Sequence, residues 1–332
     1  MPDTVFAFWR EPGNEHFFEV REPVIQYVNQ PDLASEGFYV SPFNSNTSAC
    51  FIKGKIEVNT KLNEIIIDTY NEDFSPDTGT YNYTELVKTA IDKMKNGDFD
   101  KVVLARTDDE RLPYDFSVSN LLINLSRQFP KALVYCFAIN SEVWIGASPE
   151  ILLQKETTGY KTFALAGTRI PELKGSFGNK EILEQAVVKD YILECLAKNQ
   201  TTDINISPLI EFNTGNLLHL LNEITFNTNN VLPIIKSIHP TPAVCGFPLQ
   251  AAKSFIANNE GMDRGFYAGF LGPIYPNGKF SFWVNLRCAK LLNRRITFYA
   301  GAGILVDSDP ESEFLETERK MDTLRTLVFK NL

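Results

Sequence analysis

Four glutamates, in two pairs far apart in the chain, have the types and spacing to do chemistry together: Glu181 with Glu184, and Glu313 with Glu316. Each pair is spaced i, i+3, which on a helix puts both carboxylates on one narrow stripe, and Lys320 extends the second stripe with a base. Oxygen-only donors in small number, with room left for water and substrate, suit Mg²⁺ better than zinc, which seeks His or Cys. Magnesium is the implied metal. The competing reading is that acids near helix starts merely complement the helix dipole or form solvated faces. Glu184 weighs against it. It falls within the apolar face that Ile182, Gln185, Val188, Ile192, Cys195 and Leu196 define on a helix over 179–198, where an unpartnered carboxylate is expensive.

Other side chains gain meaning from their surroundings. Arg287 stands in the middle of an apolar strand, Trp-Val-Asn-Leu-Arg-Cys-Ala, and needs an anion to offset its desolvation. His239 opens His-Pro-Thr-Pro, where two prolines stiffen the backbone, so a ligand oxygen is one candidate partner and neighbouring backbone the other. Glu150 follows Ser-Pro at a strand end and is either a general acid or surface charge. Lys101 opens the strand Lys-Val-Val-Leu-Ala-Arg, and its value depends on its company. Gly301 and Gly303 bracket Ala302 after a strand, and are expected to form a turn whose freedom at φ > 0 lets a ligand reach main-chain N–H groups.

The elements that must carry these residues can be read from periodicity and punctuation. After the glycine turn, Asp307 or Asp309 can cap a helix that Pro310 begins, with Phe314, Met321, Leu324 and Val328 on its buried stripe. An earlier helix is expected from Thr84, as N-cap, to Gly97 at C′. Hairpins are expected at Asn140-Ser141 and Gly159, and strands on either side of Pro276-Asn277-Gly278. Residues 1–77 read as an N-terminal β-rich region packed on the core, Asp73–Thr80 as a linker, and 83–330 as a single continuous catalytic core.

With 32 basic against 41 acidic residues, the net charge of −9 argues against nonspecific nucleic-acid or anionic-membrane binding, so an anionic substrate needs local cations. Five scattered cysteines without a Cys-x-x-Cys pair indicate neither a disulfide framework nor a zinc site. No segment reads as a leader or membrane span, and the expected setting is a reducing cytoplasm.

Taken together, the ordered stretches KVVLAR, GASPE, ALAGTR, the Glu181/Glu184 helix, HPTPAVCGFP, DRGFYAGFLGPI, LRCA and YAGAGI…SEFLETERK resemble the chorismate-utilising enzymes. These are isochorismate synthase, salicylate synthase and the large subunits of anthranilate and aminodeoxychorismate synthase. The resemblance covers Tyr83 to Phe329 and implies an α+β fold, with large, mostly antiparallel sheets layered with helices around one central site. It implies chorismate as substrate, Glu184 and Glu316 as Mg²⁺ ligands, and Glu181 and Glu313 beside them. It further implies Gly301, Ala302 and Gly303 at the ring carboxylate, Tyr267 and Arg287 at the enolpyruvyl carboxylate, Thr168 and His239 along the ring, and Lys320 approaching from the metal helix.

The branch within the family turns on the nucleophile. Water-adding members resemble this chain in having lysine where KVVLAR begins, whereas ammonia-using synthases typically have glutamine. Aminodeoxychorismate synthases typically place a nucleophilic lysine where this chain has Ala166. The resemblance therefore implies isochorismate synthase, with Lys101 deprotonating water and Glu150 protonating the departing hydroxyl, serving menaquinone or siderophore synthesis and needing no glutaminase partner. Salicylate synthase is the alternative within the family, and a noncatalytic chorismate-binding regulator the alternative of another class.

Overall fold

Strands make up most of the described chain, and helices are interspersed between groups of them. The structure is a computed structural model that describes residues 4–44, 46–59, 62, 82–169, 176–214 and 217–329. The expected linker at Asp73–Thr80 lies outside the described residues. The chain opens with β1 (Phe6–Arg10), β2 (Phe17–Val28), β3 (Gly37–Ser41) and β4 (Ala49–Asn59), then α1 (Tyr83–Lys95), β5 (Lys101–Arg111) and α2 (Val118–Gln128). Two hairpin pairs follow, β6 (Leu133–Ile139) with β7 (Glu142–Ser148) and β8 (Ile151–Lys155) with β9 (Tyr160–Arg169), and then α3 (Asn179–Lys198). Next come β10 (Thr202–Ile206), β11 (Ile210–Asn213), β12 (Leu218–Asn227), α4 (Leu232–Ile238), β13 (Gly246–Phe247) and α5 (Leu249–Asn259). The chain closes with β14 (Phe270–Ile274), β15 (Ser281–Val284), β16 (Cys288–Leu292), β17 (Arg295–Ile304) and α6 (Pro310–Phe329).

The fold is α+β, a large antiparallel sheet system flanked by helices. β6 shows why it is layered. Every residue of Leu-Val-Tyr-Cys-Phe-Ala-Ile is buried, so neither face meets water. Leu133, Tyr135 and Phe137 join one core with α1, α3 and α5, while Val134, Cys136 and Ala138 join a second with α2 and α6. A strand covered on both sides must be apolar throughout, whereas a half-covered one alternates. The N-terminal strands are hydrogen-bonded into the rest, β1 to β6 and β3 to β14.

Local chemistry explains most element ends. Asn140 and Ser141, with φ of 50° and 66°, form the two-residue β6–β7 turn whose left-handed backbone matches strand twist. Asp309 caps α6 through Ser312 N–H at 2.9 Å. α1 begins earlier than expected because Asn82, rather than Thr84, accepts from Glu85 N–H. β2 lacks regular alternation because its register with β4 shifts between Arg21 and Val24, around Pro23.

Three local expectations are corrected. The Gly301-Ala302-Gly303 turn is regular strand within β17, paired with Ala105, Leu104 and Val103 of β5, and neither glycine has positive φ. The expected Trp283–Ala289 strand is broken, for Arg287 lies between β15 and β16 with φ of 47°. Ile182 is 43% exposed, not part of the buried face of α3. No helix among the described residues is long and apolar enough to cross a membrane.

Candidate active site

The β5–β17 ladder forms one wall of a cavity of about 140 Å³. β5 contributes Lys101, only 4% exposed, with Nζ 3.9 Å from Glu184 Oε1. From β17 come Gly301 and Gly303. A Cβ on Gly303 would lie 3.1 Å from Glu184 Oε1 and 3.2 Å from Lys101 Cε, and one on Gly301 would lie 3.1 Å from the Tyr267 hydroxyl. These glycines are required by close approach, not by backbone freedom. Ala302 is fully buried between them but does not line the cavity.

Glu150, in the link from β7 to β8, also lines the cavity. It is 3% exposed, and its Oε1 has no hydrogen-bond partner among the described residues. Burial pushes its carboxyl up to about 8, against the opposing pull of Lys101. Burial thus favours the protonated form of Glu150 at neutral pH, with Lys101 close by in the same cavity.

Helices α3 and α6 bring in the paired acids. Burial raises the Glu184 carboxyl above its ordinary value; Lys101 and Lys180 pull it down, while Glu316 pushes it further up. Burial also acts upward on Glu316, but Lys320, Lys180 and Lys101 outweigh it and leave that carboxyl lowered. Lys320 Nζ donates to Glu316 at 2.8 Å and to the Gly301 carbonyl at 2.7 Å, tying α6 to β17. Glu181 lines the cavity, although its Oε2 accepts from Gly178 N–H at 2.8 Å and so caps α3. Glu313 does not line it. Its carboxylate accepts from Ser308 at 2.6 Å and Lys180 at 3.1 Å.

These carboxylates fit Mg²⁺ by chemistry. Glu316 raises the cost of ionising Glu184 within one cavity, a cost that a cation relieves. Among the described residues no three His, Cys, Asp or Glu side chains form a ready-made metal cage. Two carboxylates that leave the remaining positions to water and substrate are how Mg²⁺ is usually held.

At the other end lies a cationic corner. Arg287 is 9% exposed, and among the described residues its partners are the Thr214 carbonyl, the Thr214 hydroxyl and His219 Nε2, none of them an anion. Burial lowers its guanidinium to about 10, still charged at neutral pH. A buried cation without a counter-charge, facing a cavity, is a place for an anionic ligand. Tyr267 lines the same cavity and stacks on Tyr299, ring centroids 5.4 Å apart.

Thr168, near the end of β9, lies opposite His219 of β12, and the register shifts there as Gly167, φ +67°, is inserted. A Cβ on Gly167 would come within 2.9 Å of Glu181, so the bulge lets α3 dock against the strand. His239, expected along the ring, is not among the cavity-lining residues. Its Nε2–H donates to the Ala268 carbonyl at 3.0 Å and its ring meets Phe270 edge-on, so the backbone reading of this histidine is the one realised. His219 and Lys180, absent from the sequence reading, both line the cavity. A histidine interrupting the apolar run Leu-Leu-His-Leu-Leu was the available signal for the first; Lys180, at the exposed start of a helix, offered none.

The fold has well-matched relatives. The putative 2,3-dihydroxybenzoate-specific isochorismate synthase DhbC from Bacillus anthracis superimposes with a TM-score of 0.83 at 24% identity, covering 98% of this chain and 96% of that one. The family model for chorismate binding enzymes matches residues 56–328, and the chain belongs to that family. It is 32% identical over 258 residues to isochorismate synthase EntC of Escherichia coli (strain K12), and 29% identical over 267 residues to isochorismate synthase DhbC of Bacillus subtilis (strain 168). Each match covers 73% of this chain and 66% of the relative, so the chain spans just under two thirds of those proteins.

Proposed function

We propose that this protein is a Mg²⁺-dependent isochorismate synthase. The observation that carries the reading is the buried pair Lys101 and Glu150, the latter favoured as a protonated acid by burial, in one cavity with an arginine that has no carboxylate partner among the described residues. Lys101 takes a proton from the water that attacks C2 of chorismate. The ring double bonds shift, and Glu150 gives its proton to the C4 hydroxyl, which leaves as water. Both groups are needed because hydroxide is a poor leaving group, and each positioned acid or base contributes about 10²–10⁴-fold. Arg287 and Tyr267 hold the enolpyruvyl carboxylate, while Gly301 and Gly303 leave room at the ring carboxylate. Mg²⁺, held by Glu184 and Glu316, supplies the positive charge for that carboxylate when bound.

The test is to incubate purified protein with chorismate and Mg²⁺, resolve products by chromatography, and run EDTA and ammonium controls. Isochorismate, lost with EDTA and regained with excess Mg²⁺, is the expected result. Salicylate with pyruvate identifies a salicylate synthase, aminated products contradict water as the nucleophile, and chorismate binding without turnover identifies a regulator.

A further inference from the structure

His219 sits between two residues of the cavity wall. Its Nδ1 is 3.3 Å from Thr168 Oγ1, and its Nε2 is 3.3 Å from Arg287 Nη2. A guanidinium has only donors, so Nε2 must be the acceptor and the ring proton must lie on Nδ1. Protonating both nitrogens is opposed by burial and by Arg287 and Lys320, which hold the imidazolium well below its usual range.

The tautomer has a consequence for Thr168. A protonated Nδ1 cannot accept, so the Thr168 O–H is unclaimed by the ring, and Thr168 lines the cavity. We infer that His219 is a positioning residue which, as the neutral Nδ1–H tautomer, holds Arg287 and turns the Thr168 hydroxyl into a donor for a ligand oxygen. This end of the cavity then offers the Arg287 guanidinium and the Thr168 O–H as donors, and it favours an accepting, negatively charged group such as a carboxylate. The inference deepens the proposed function and rests on it for the identity of the ligand alone.

The closing experiment has two readouts. The first is ¹⁵N NMR of histidine-labelled wild-type protein without ligand. With only three histidines, the signals are assigned with His219→Gln and His239→Gln variants. His219 is expected to show a protonated Nδ1 and a bare Nε2. His239, whose Nε2 faces the Ala268 carbonyl, is expected to show the opposite tautomer, and the exposed His16 an average. A bare Nδ1 on His219, or two protonated nitrogens at neutral pH, overturns the proposal.

The second readout is chorismate affinity by calorimetry. Thr168→Val and His219→Leu are each expected to weaken binding tenfold or more, as loss of a hydrogen bond to a charged group does. His219→Gln, which keeps an oxygen for Arg287, stays within about threefold of wild type by the same scale. Unchanged affinity in Thr168→Val or His219→Leu overturns the positioning role. If wild type itself does not bind chorismate, the functional reading fails, while the tautomer remains decided by NMR.

Discussion

Glu150 keeps its proton because burial opposes its charge more strongly than Lys101 favours it. Three predictions follow from that balance. Its folded-state value of about 8 exceeds the ordinary 4.5, so the neutral acid's contribution to stability is complete below about 4.5 and is lost as pH rises through about 8. Glu150→Gln, which cannot ionise, should therefore melt above wild type at pH 9, the gap shrinking toward pH 5. Scanning fluorimetry across that range measures it, and a gap independent of pH would show that Glu150 is not a buried neutral acid. In the reaction, the same variant should lose at least about 10²-fold in kcat, with KM little changed. Wild-type kcat should fall above about pH 8, as the acid loses its proton. Among single residues, those with abnormal surroundings were legible: Glu184 on an apolar face, and Arg287 in an apolar run. His219 was much less so, because its meaning comes from a cross-strand partner, Thr168, that no local pattern names.

At the scale of elements, β17 and α6 act as one unit, joined where Lys320 reaches the Gly301 carbonyl. Gly303→Ala places a methyl against Glu184 and Lys101. A loss of tenfold or more in kcat/KM is expected, with a circular dichroism spectrum like wild type; full activity would show that those side chains can move aside freely. Asp309→Ala removes the α6 cap and should lower the urea midpoint. The α6 cap, the hairpin turns and most of the buried stripes of α3 and α6 were legible because their causes are local, whereas the α1 cap and Ile182 were misplaced. The Gly-Ala-Gly segment misled because glycine serves both turns and close approaches, and only the packed neighbours distinguish them. The exposed strands β10 and β11 carry no core-facing alternation and gave little signal.

Across the whole molecule, β5 is the member most heavily braced. One edge pairs with β17. On the other, β13 pairs only with Lys101 and Val102, and a buried ion pair from beyond α5 continues the bracing. Glu260 accepts from Ala105 N–H at 2.9 Å, and Arg264 donates to the Val103 carbonyl at 2.7 Å and to Glu260 at 2.6 Å. Arg264→Met strands a carboxylate that is only 1% exposed and should cost about 3–5 kcal/mol. The double variant with Glu260→Gln should recover much of that loss, as urea denaturation would show. Layering and fold class were legible through resemblance and apolar runs, but the convergence of α3 and α6 was not, since sequence separation carries no information about distance.

The β5–β17 ladder also has a meaning in time. Lys101 leaves the ribosome long before Gly303, Glu316 and Lys320 are made, and until they arrive its strand lacks the partner that forms the cavity wall. A nascent chain therefore carries Lys101 without the β17 wall, Glu316 and Lys320, and a fragment ending before α6 is expected to be inactive. The cavity wall is complete only when folding closes this late pairing, so any activity that depends on the cavity should report its completion.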